Sequence, residues 1–232
     1  MWAIVPIKTL ESAKQRLATV LTPDERRALM LAMARDVLTA LVQSQRLRGV
    51  LIVSRTPEAD ALAQAFATER FSERPGSDLP AALTQAADYL TRHFGARGIL
   101  IVPADVPLIT ASEVDAILAD HTEVTILPDD EHVGTNGLAC TPPDSIPLVF
   151  NGRSFRPHVD AAFAAGIVPR VVPSPGFALD IDTPDDLRAL LTRGAHTQTG
   201  AHLERSGIAS RLAATNVTTG ALGSAEAVNG RP

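Results

Sequence analysis

Three continuous apolar runs, Trp2–Ile7, Gly49–Ser54 and Gly98–Val102, narrow the folds open to this chain more than any other feature. A strand with one face in water alternates apolar and polar residues. A strand that is apolar at nearly every position must be covered on both faces, which is the habit of parallel sheets. Between and beyond these runs lie segments with helix-start chemistry. Thr22-Pro23-Asp24-Glu25 combines a Thr cap, Pro in the first turn and Glu placed to close a capping box, and predicts a helix to about Gln45. Thr56-Pro57-Glu58 predicts another helix, followed by a brief strand near Arg70–Ser72. Asp78–Phe94 is helical in pattern, with Pro80 tolerable only in its first turn. Thr110-Ala111-Ser112-Glu113 reads as a second capping box, and Glu123–Leu127 as a further strand.

Through residue 127 the chain therefore alternates β and α, and a mostly parallel Rossmann-like α/β sheet is expected. Beyond it the rhythm breaks. Short strands are predicted near Leu138–Thr141, Arg170–Pro173 and Phe177–Ile181, and a last helix from Thr183-Pro184-Asp185-Asp186. A nucleotide-binding core followed by a substrate-binding elaboration fits that order. Residues 193–232 are rich in Gly, Ala, Ser and Thr; a short helix is open to Leu203–Leu212 but nothing there would bury it well, and the segment is read as a flexible low-complexity tail behind a single domain, 1–192.

A chain of 232 residues with 45% hydrophobic content can bury one sizeable core. A formal charge of -5 gives no global positive field for nucleic acid or an anionic membrane, so a polyanion must be met by a few placed cations. One cysteine excludes an internal disulfide and suits a reducing compartment. No apolar stretch approaches the roughly 18 residues of a membrane span, and the opening run lacks the features of a signal peptide. A cytoplasmic protein is expected, with a homodimer left open.

In open parallel sheets ligands bind beyond the carboxyl ends of the strands, so the loops after the apolar runs are the place to look for chemistry. The first carries Lys8, Lys14 and Arg16, three cations able to wrap a polyphosphate or simply to face water. The second, Pro103-Ala104-Asp105-Val106-Pro107-Leu108, sets Asp105 at a strand end, as a ligand for a hard cation or as a turn former. The third is Leu179-Asp180-Ile181-Asp182-Thr183-Pro184-Asp185-Asp186-Leu187. In an extended segment Asp180 and Asp182 point the same way, and two like charges so near repel unless a cation lies between them. Asp185 and Asp186 fall in the first turn of a helix and read as structural. Gly134-Thr135-Asn136-Gly137 is a turn-prone loop suited to an anion, and Phe150-Asn151-Gly152-Arg153-Ser154-Phe155 opens a helix whose N-terminus can hold one, with Arg153 nearby. His158, Cys140 and the other histidines lack ligand spacing and read as structural or surface residues.

In order along the chain, P-I-K-x-x-x-x-A-K-x-R-L, P-A-D-V-P-L, G-T-N-G-L, F-N-G-R-S-F-x-x-H and L-D-I-D-T-P-D-D-L together resemble the 2-phospho-L-lactate guanylyltransferase family of deazaflavin coenzyme F-420 biosynthesis, over roughly residues 1–192. That resemblance implies a fold of the nucleotide-diphospho-sugar transferase type, GTP as donor, Mg²⁺ as cofactor, diphosphate as leaving group, and 2-phospholactate, phosphoenolpyruvate or 3-phosphoglycerate as acceptor. It implies Asp105, Asp180 and Asp182 as metal-holding catalytic residues. It also implies Lys8, Lys14 and Arg16 toward the GTP phosphates, and Thr135, Asn151 and Ser154 against the phospho-acid. Two positions depart from the family pattern: Asn151 stands where F-G-x-x-S has Gly, and Pro80 where Asn is usual. The rival readings are a molybdenum-cofactor or sugar-phosphate nucleotidyltransferase, which usually opens with a glycine-rich loop in place of Pro6-Ile7-Lys8, and a non-catalytic nucleotide-binding module, which has no need of three metal-facing aspartates.

Overall fold

The computed structural model of the chain describes residues 1–7 and 14–214. Seven strands form one sheet: β1 (Trp2–Pro6), β2 (Val50–Val53), β3 (Glu69–Phe71), β4 (Ile99–Ile101), β5 (Val124–Pro128), β6 (Thr135–Cys140) and β7 (Arg170–Val171). Their spatial order is β3-β2-β1-β4-β6-β5-β7. Every pairing is parallel except those of β6, which runs antiparallel to both β4 and β5. The mostly parallel α/β sheet expected from the sequence is thus what forms.

The continuous apolar runs divide their side chains between two cores. From β1, β2, β4 and the residue that follows β4, Ala3, Val5, Val50, Ile52, Leu100 and Val102 point to one face. Trp2, Ile4, Leu51, Val53, Ile99 and Ile101 point to the other. On the first face lie α1 (Pro23–Gln43), α2 (Pro57–Phe66), α4 (Ala111–Ala119), α6 (Pro184–Arg193) and α7 (Gln198–Arg205). On the second lie α3 (Leu79–Phe94) and α5 (Phe155–Ala164). The helix starts follow local chemistry. Thr22 and Thr183 each close a reciprocal capping box, with Glu25 and Asp186 respectively. Asp78 caps α3, whose first turn takes Pro80.

Four expectations need correction. At α4 only half of the capping box forms: Thr110 accepts from Glu113 N, but the Glu113 carboxylate turns away to Ser174 Oγ and Gly176 N (2.9 Å to the amide). Residues 134–137, expected as a turn, instead lead into and begin β6. The glycine there answers to packing, since a Cβ at Gly137 would lie 2.3 Å from Leu127 Cδ1 and 3.0 Å from the Phe177 ring. Phe177–Ile181, expected as a strand, leaves a turn at Phe177 and continues as a loop bonded to other loops: Asp130 N donates to Ala178 O and Ile181 N to Asp105 O. Its alternation still holds, with Leu179 and Ile181 buried.

The fourth concerns the segment read as a flexible tail from residue 193. It folds back as α7 and helical residues 208–214, and buries Leu203, Ile208 and Leu212 in the same core as α1. Asp36 of α1 anchors it by accepting from Gln198 N, Thr199 N and Thr199 Oγ1. Low apolar content hid the burial of this segment, not its helical tendency at Leu203–Leu212: three well-spaced aliphatic residues suffice because α1 supplies the rest of the core. Residues 215–232 lie outside the described residues. Among the described residues no helix is long and apolar enough to cross a membrane.

Candidate active site

Strand β1 has β2 on one side and β4 on the other, and the chain fills the two flanks in turn. The order reverses there, so the carboxyl ends of β1 and β4 open a crevice of the kind in which such sheets bind ligands. Lys14 enters it from the chain after β1, and Asp105 from the turn after β4. Asp180 and Asp182 enter from the loop before α6. The amide of Ile181, between them, is tied to the Asp105 carbonyl at 3.1 Å, which locks the two segments side by side.

Lys14 occupies the centre. Its Nζ donates to Asp105 Oδ2 and to Asp182 Oδ1, each at 2.6 Å, and its side chain is only 6% exposed. Burial alone lowers the pKa of an ammonium, but Asp105 and Asp182 outweigh that and hold Lys14 above the ordinary lysine range. Its backbone is left-handed, φ 55°, a sparsely populated region for a residue with a side chain. Asp180 does not share this ammonium. Its Oδ1 accepts from Asn136 Nδ2 at 3.1 Å, while the same amide donates to Phe177 O. Burial pushes Asp180 above the usual carboxylate range; the Asn136 hydrogen bond opposes this, and the charges of Asp105 and Asp182 add to it. Asp182 is held from behind, because its amide donates to Asp186 Oδ2 at 3.0 Å, the carboxylate that also closes the α6 capping box.

A cavity of about 730 Å³ opens beside this cluster. Asp180, Asp182 and Arg16 line it, together with the turn Asn151–Arg153 that precedes α5. Of the residues expected to meet a phospho-acid, Asn151 is on the cavity wall, with its Oδ1 accepting from Arg153 N. Ser154 is buried at the cap of α5. Thr135 is buried against His158. Lys8 lies outside the described residues.

Asp105 and Asp182 therefore meet, far apart in sequence yet joined through one cation, and Asp180 stands close enough to feel the charges of both. As they stand the three carboxylates do not close on a single point, and among the described residues no group of three carboxylate, imidazole or thiol side chains is arranged to hold a metal. The donor chemistry nevertheless suits a hard divalent cation. Two carboxylates already converge on one positive charge, and with Asp180 nearby the cluster holds three carboxylates to one ammonium, an excess of negative charge. Sequence reasoning missed Asn136, the partner of Asp180, because an asparagine directly before a glycine signals a turn. It also missed the link from Asp186 to Asp182, which only the folded helix start creates.

A family model described as "Guanylyl transferase CofC like" matches residues 1–219. The chain belongs to that family. Among curated relatives of this guanylyl transferase, a phosphoenolpyruvate guanylyltransferase from Sphaerobacter thermophilus is 40% identical over 208 residues, covering 88% of this chain and 98% of the relative. A 2-phospho-L-lactate guanylyltransferase from Methanobrevibacter ruminantium is 33% identical, covering 90% and 92%. Among solved structures, a Desulfovibrio desulfuricans protein assigned to the nucleotide-diphospho-sugar transferases superposes with a TM-score of 0.73 at 21% identity, covering 91% of this chain and 96% of that one. A nucleotidyl transferase from Methanothermobacter superposes with a TM-score of 0.61 at 17% identity, covering 82% and 94%. These neighbours establish the fold; the sequence relatives establish the family and its reaction type, nucleotidyl transfer.

Proposed function

We propose that this guanylyl transferase joins GMP from GTP to a small phosphorylated carboxylic acid (2-phospholactate, phosphoenolpyruvate or 3-phosphoglycerate) in the cytoplasm, releasing diphosphate, as a step toward the deazaflavin coenzyme F-420. The observation that carries this reading is the meeting of Asp105 and Asp182 on Lys14 at the carboxyl ends of β1 and β4, beside a cavity large enough for a second substrate. Membership of the guanylyl transferase family supports GTP as donor, and the names of the relatives support a phosphorylated acid as acceptor.

The step needs no covalent enzyme intermediate. A phosphate oxygen of the acid attacks the α-phosphorus of GTP in line, the new O–P bond forms, and the bond to the bridging oxygen breaks with its electron pair leaving on diphosphate. The attacking oxygen is already anionic near neutral pH, so no general base is required. The obstacle is repulsion between two polyanions, and the residues of the site answer it. Lys14 is positioned to exchange carboxylate oxygens for phosphate oxygens, Arg16 lines the same cavity, and Asn136 and Asp186 keep Asp180 and Asp182 in place. Mg²⁺, which Asp105 and Asp182 with Asp180 would hold, would supply charge compensation on the triphosphate and the leaving group.

The test is to incubate the protein with GTP, Mg²⁺ and each acid in turn, with diphosphate release as the readout. Release above background with at least one acid, and none without acid, is the expected result. Background release with all three acids would remove the acceptor assignment.

A further inference from the structure

Acids outnumber cations on the wall of the acceptor cavity, an awkward surface for an anionic substrate, yet all of those acids but Glu131 are already engaged. Asp129 accepts from the amides of Val133 and Gly134 at 2.8 and 2.7 Å. Asp130 lies 4.0 Å from Arg193, Asp185 pairs with Arg188, and Asp186 serves the α6 cap. Asp180 and Asp182 are taken up as described above. The two arginines on the wall, Arg16 and Arg153, form no ion pair among the described residues despite this surplus of carboxylates. Arg153 sits on a tight turn: Gly152 at φ +82° reverses the chain, and Asn151 Oδ1 fixes the Arg153 amide at 3.1 Å, leaving an exposed guanidinium beside the cavity.

We infer that Arg153 binds the carboxylate of the acceptor acid and so selects a phosphorylated carboxylic acid over a simple phosphate ester; the inference rests on the reading given under Proposed function. The acid's phosphate must lie toward Lys14, Asp105 and Asp182, because there the α-phosphorus is attacked. The remainder of the acid then extends along the cavity wall, where a carboxylate among acids is repelled unless a cation meets it. With Arg16 turned to phosphate, Arg153 is the cation left for it. A guanidinium matches a carboxylate with two parallel N–H donors, which a neutral side chain cannot reproduce.

Steady-state kinetics with Arg153→Gln, an exposed substitution that leaves the core untouched, reads this directly. The KM for the acid is expected to rise about 10- to 100-fold, the loss of one charge-assisted contact, with the KM for GTP unchanged, and Arg153→Lys is expected to recover part of it. Ethyl phosphate, which is 2-phospholactate without its carboxylate, serves as the competing ligand. Its inhibition constant against the acid should be the same for wild type and Arg153→Gln. Three results overturn the inference: an unchanged KM for the acid, an equal rise in the KM for GTP, or an equal weakening of ethyl phosphate, which would put the guanidinium on phosphate. Absence of diphosphate release by the wild-type protein with every acid is a different outcome and counts against the reading of the reaction itself. In that event calorimetric titration of each acid into both proteins still reads Arg153, and equal affinities overturn its assignment.

Discussion

Asp182 carries two jobs at once: its carboxylate holds the Lys14 ammonium, and its amide is pinned by Asp186. Asp182→Asn keeps the side-chain volume and the backbone anchor but removes the charge that faces Lys14 and would face a metal. Turnover is expected to fall by about two orders of magnitude or more, as when a preorganised electrostatic contact is removed, with the circular dichroism spectrum and melting temperature close to wild type. Wild-type turnover in the variant would refute the assignment. His158 is the second residue whose chemistry is fixed by its surroundings. The Val149 amide donates to its Nε2, so the proton sits on Nδ1 and is donated to Thr135 Oγ1. Burial pulls its pKa down to about 4 from an ordinary value near 6.5. Because the folded pKa is the lower one, the unfolded chain takes up the proton first, and stability is lost as pH falls from about 6.5 to about 4. The loss is on the order of 3 kcal/mol. Urea denaturation across that range should show the slope in wild type and a weaker one in His158→Gln. Equal slopes would exclude His158 as its source. The sequence separates a metal-facing Asp182 from a structural or surface His158, but the partners that make His158 neutral and Asp182 bridging come from segments distant in sequence.

Helix α6 shows how an element builds the site. Its start, Thr183-Pro184-Asp185-Asp186, was legible in the sequence as a helix start with structural acids, and the structure closes it as a capping box between Thr183 and Asp186. Thr183→Ala is expected to cost about 1 kcal/mol of unfolding free energy. Asp186→Ala removes the same cap and also frees the Asp182 amide, so it should lower both stability and kcat, whereas Thr183→Ala should act mainly on stability. Parallel denaturation and turnover assays check this, and equal effects of the two on kcat would sink the proposed link. Strand β6 is the opposite case. Gly137 signals a turn to anyone reading the sequence, because glycine serves turns and close packing alike. Only the register of β5 against β6, which brings Leu127 opposite Gly137, and the Phe177 ring packed over it show that packing is the reason here.

Across the whole molecule, the segment after residue 193 decides how large the folding unit is. Leu203, Ile208 and Leu212 close the core over α1, and Asp36 holds the start of α7. Ending the chain at residue 193 should uncover that face of α1 and lower the denaturation midpoint, and Leu203→Ala in the full chain should cost about 2–5 kcal/mol. A midpoint unchanged by both would mean the helix pair adds nothing to the fold.

The alternation of strands and helices through residue 127, the class of sheet and the starts of α1 to α4 and α6 were determined by the sequence alone. Each depends on residues within a few positions of one another, through hydrogen bonds to the nearby backbone and the period of apolar side chains. Which acids meet was decided only by the tertiary structure. Asp105 and Asp182 share Lys14 because the order of strands brings the ends of β1 and β4 together and the Ile181 amide bonds the Asp105 carbonyl. Asp180 turns to Asn136 because β6 runs antiparallel beside β4. Long-range pairing of this kind has no local signature, since the partners of each side chain are supplied by chain closure and not by neighbours in sequence.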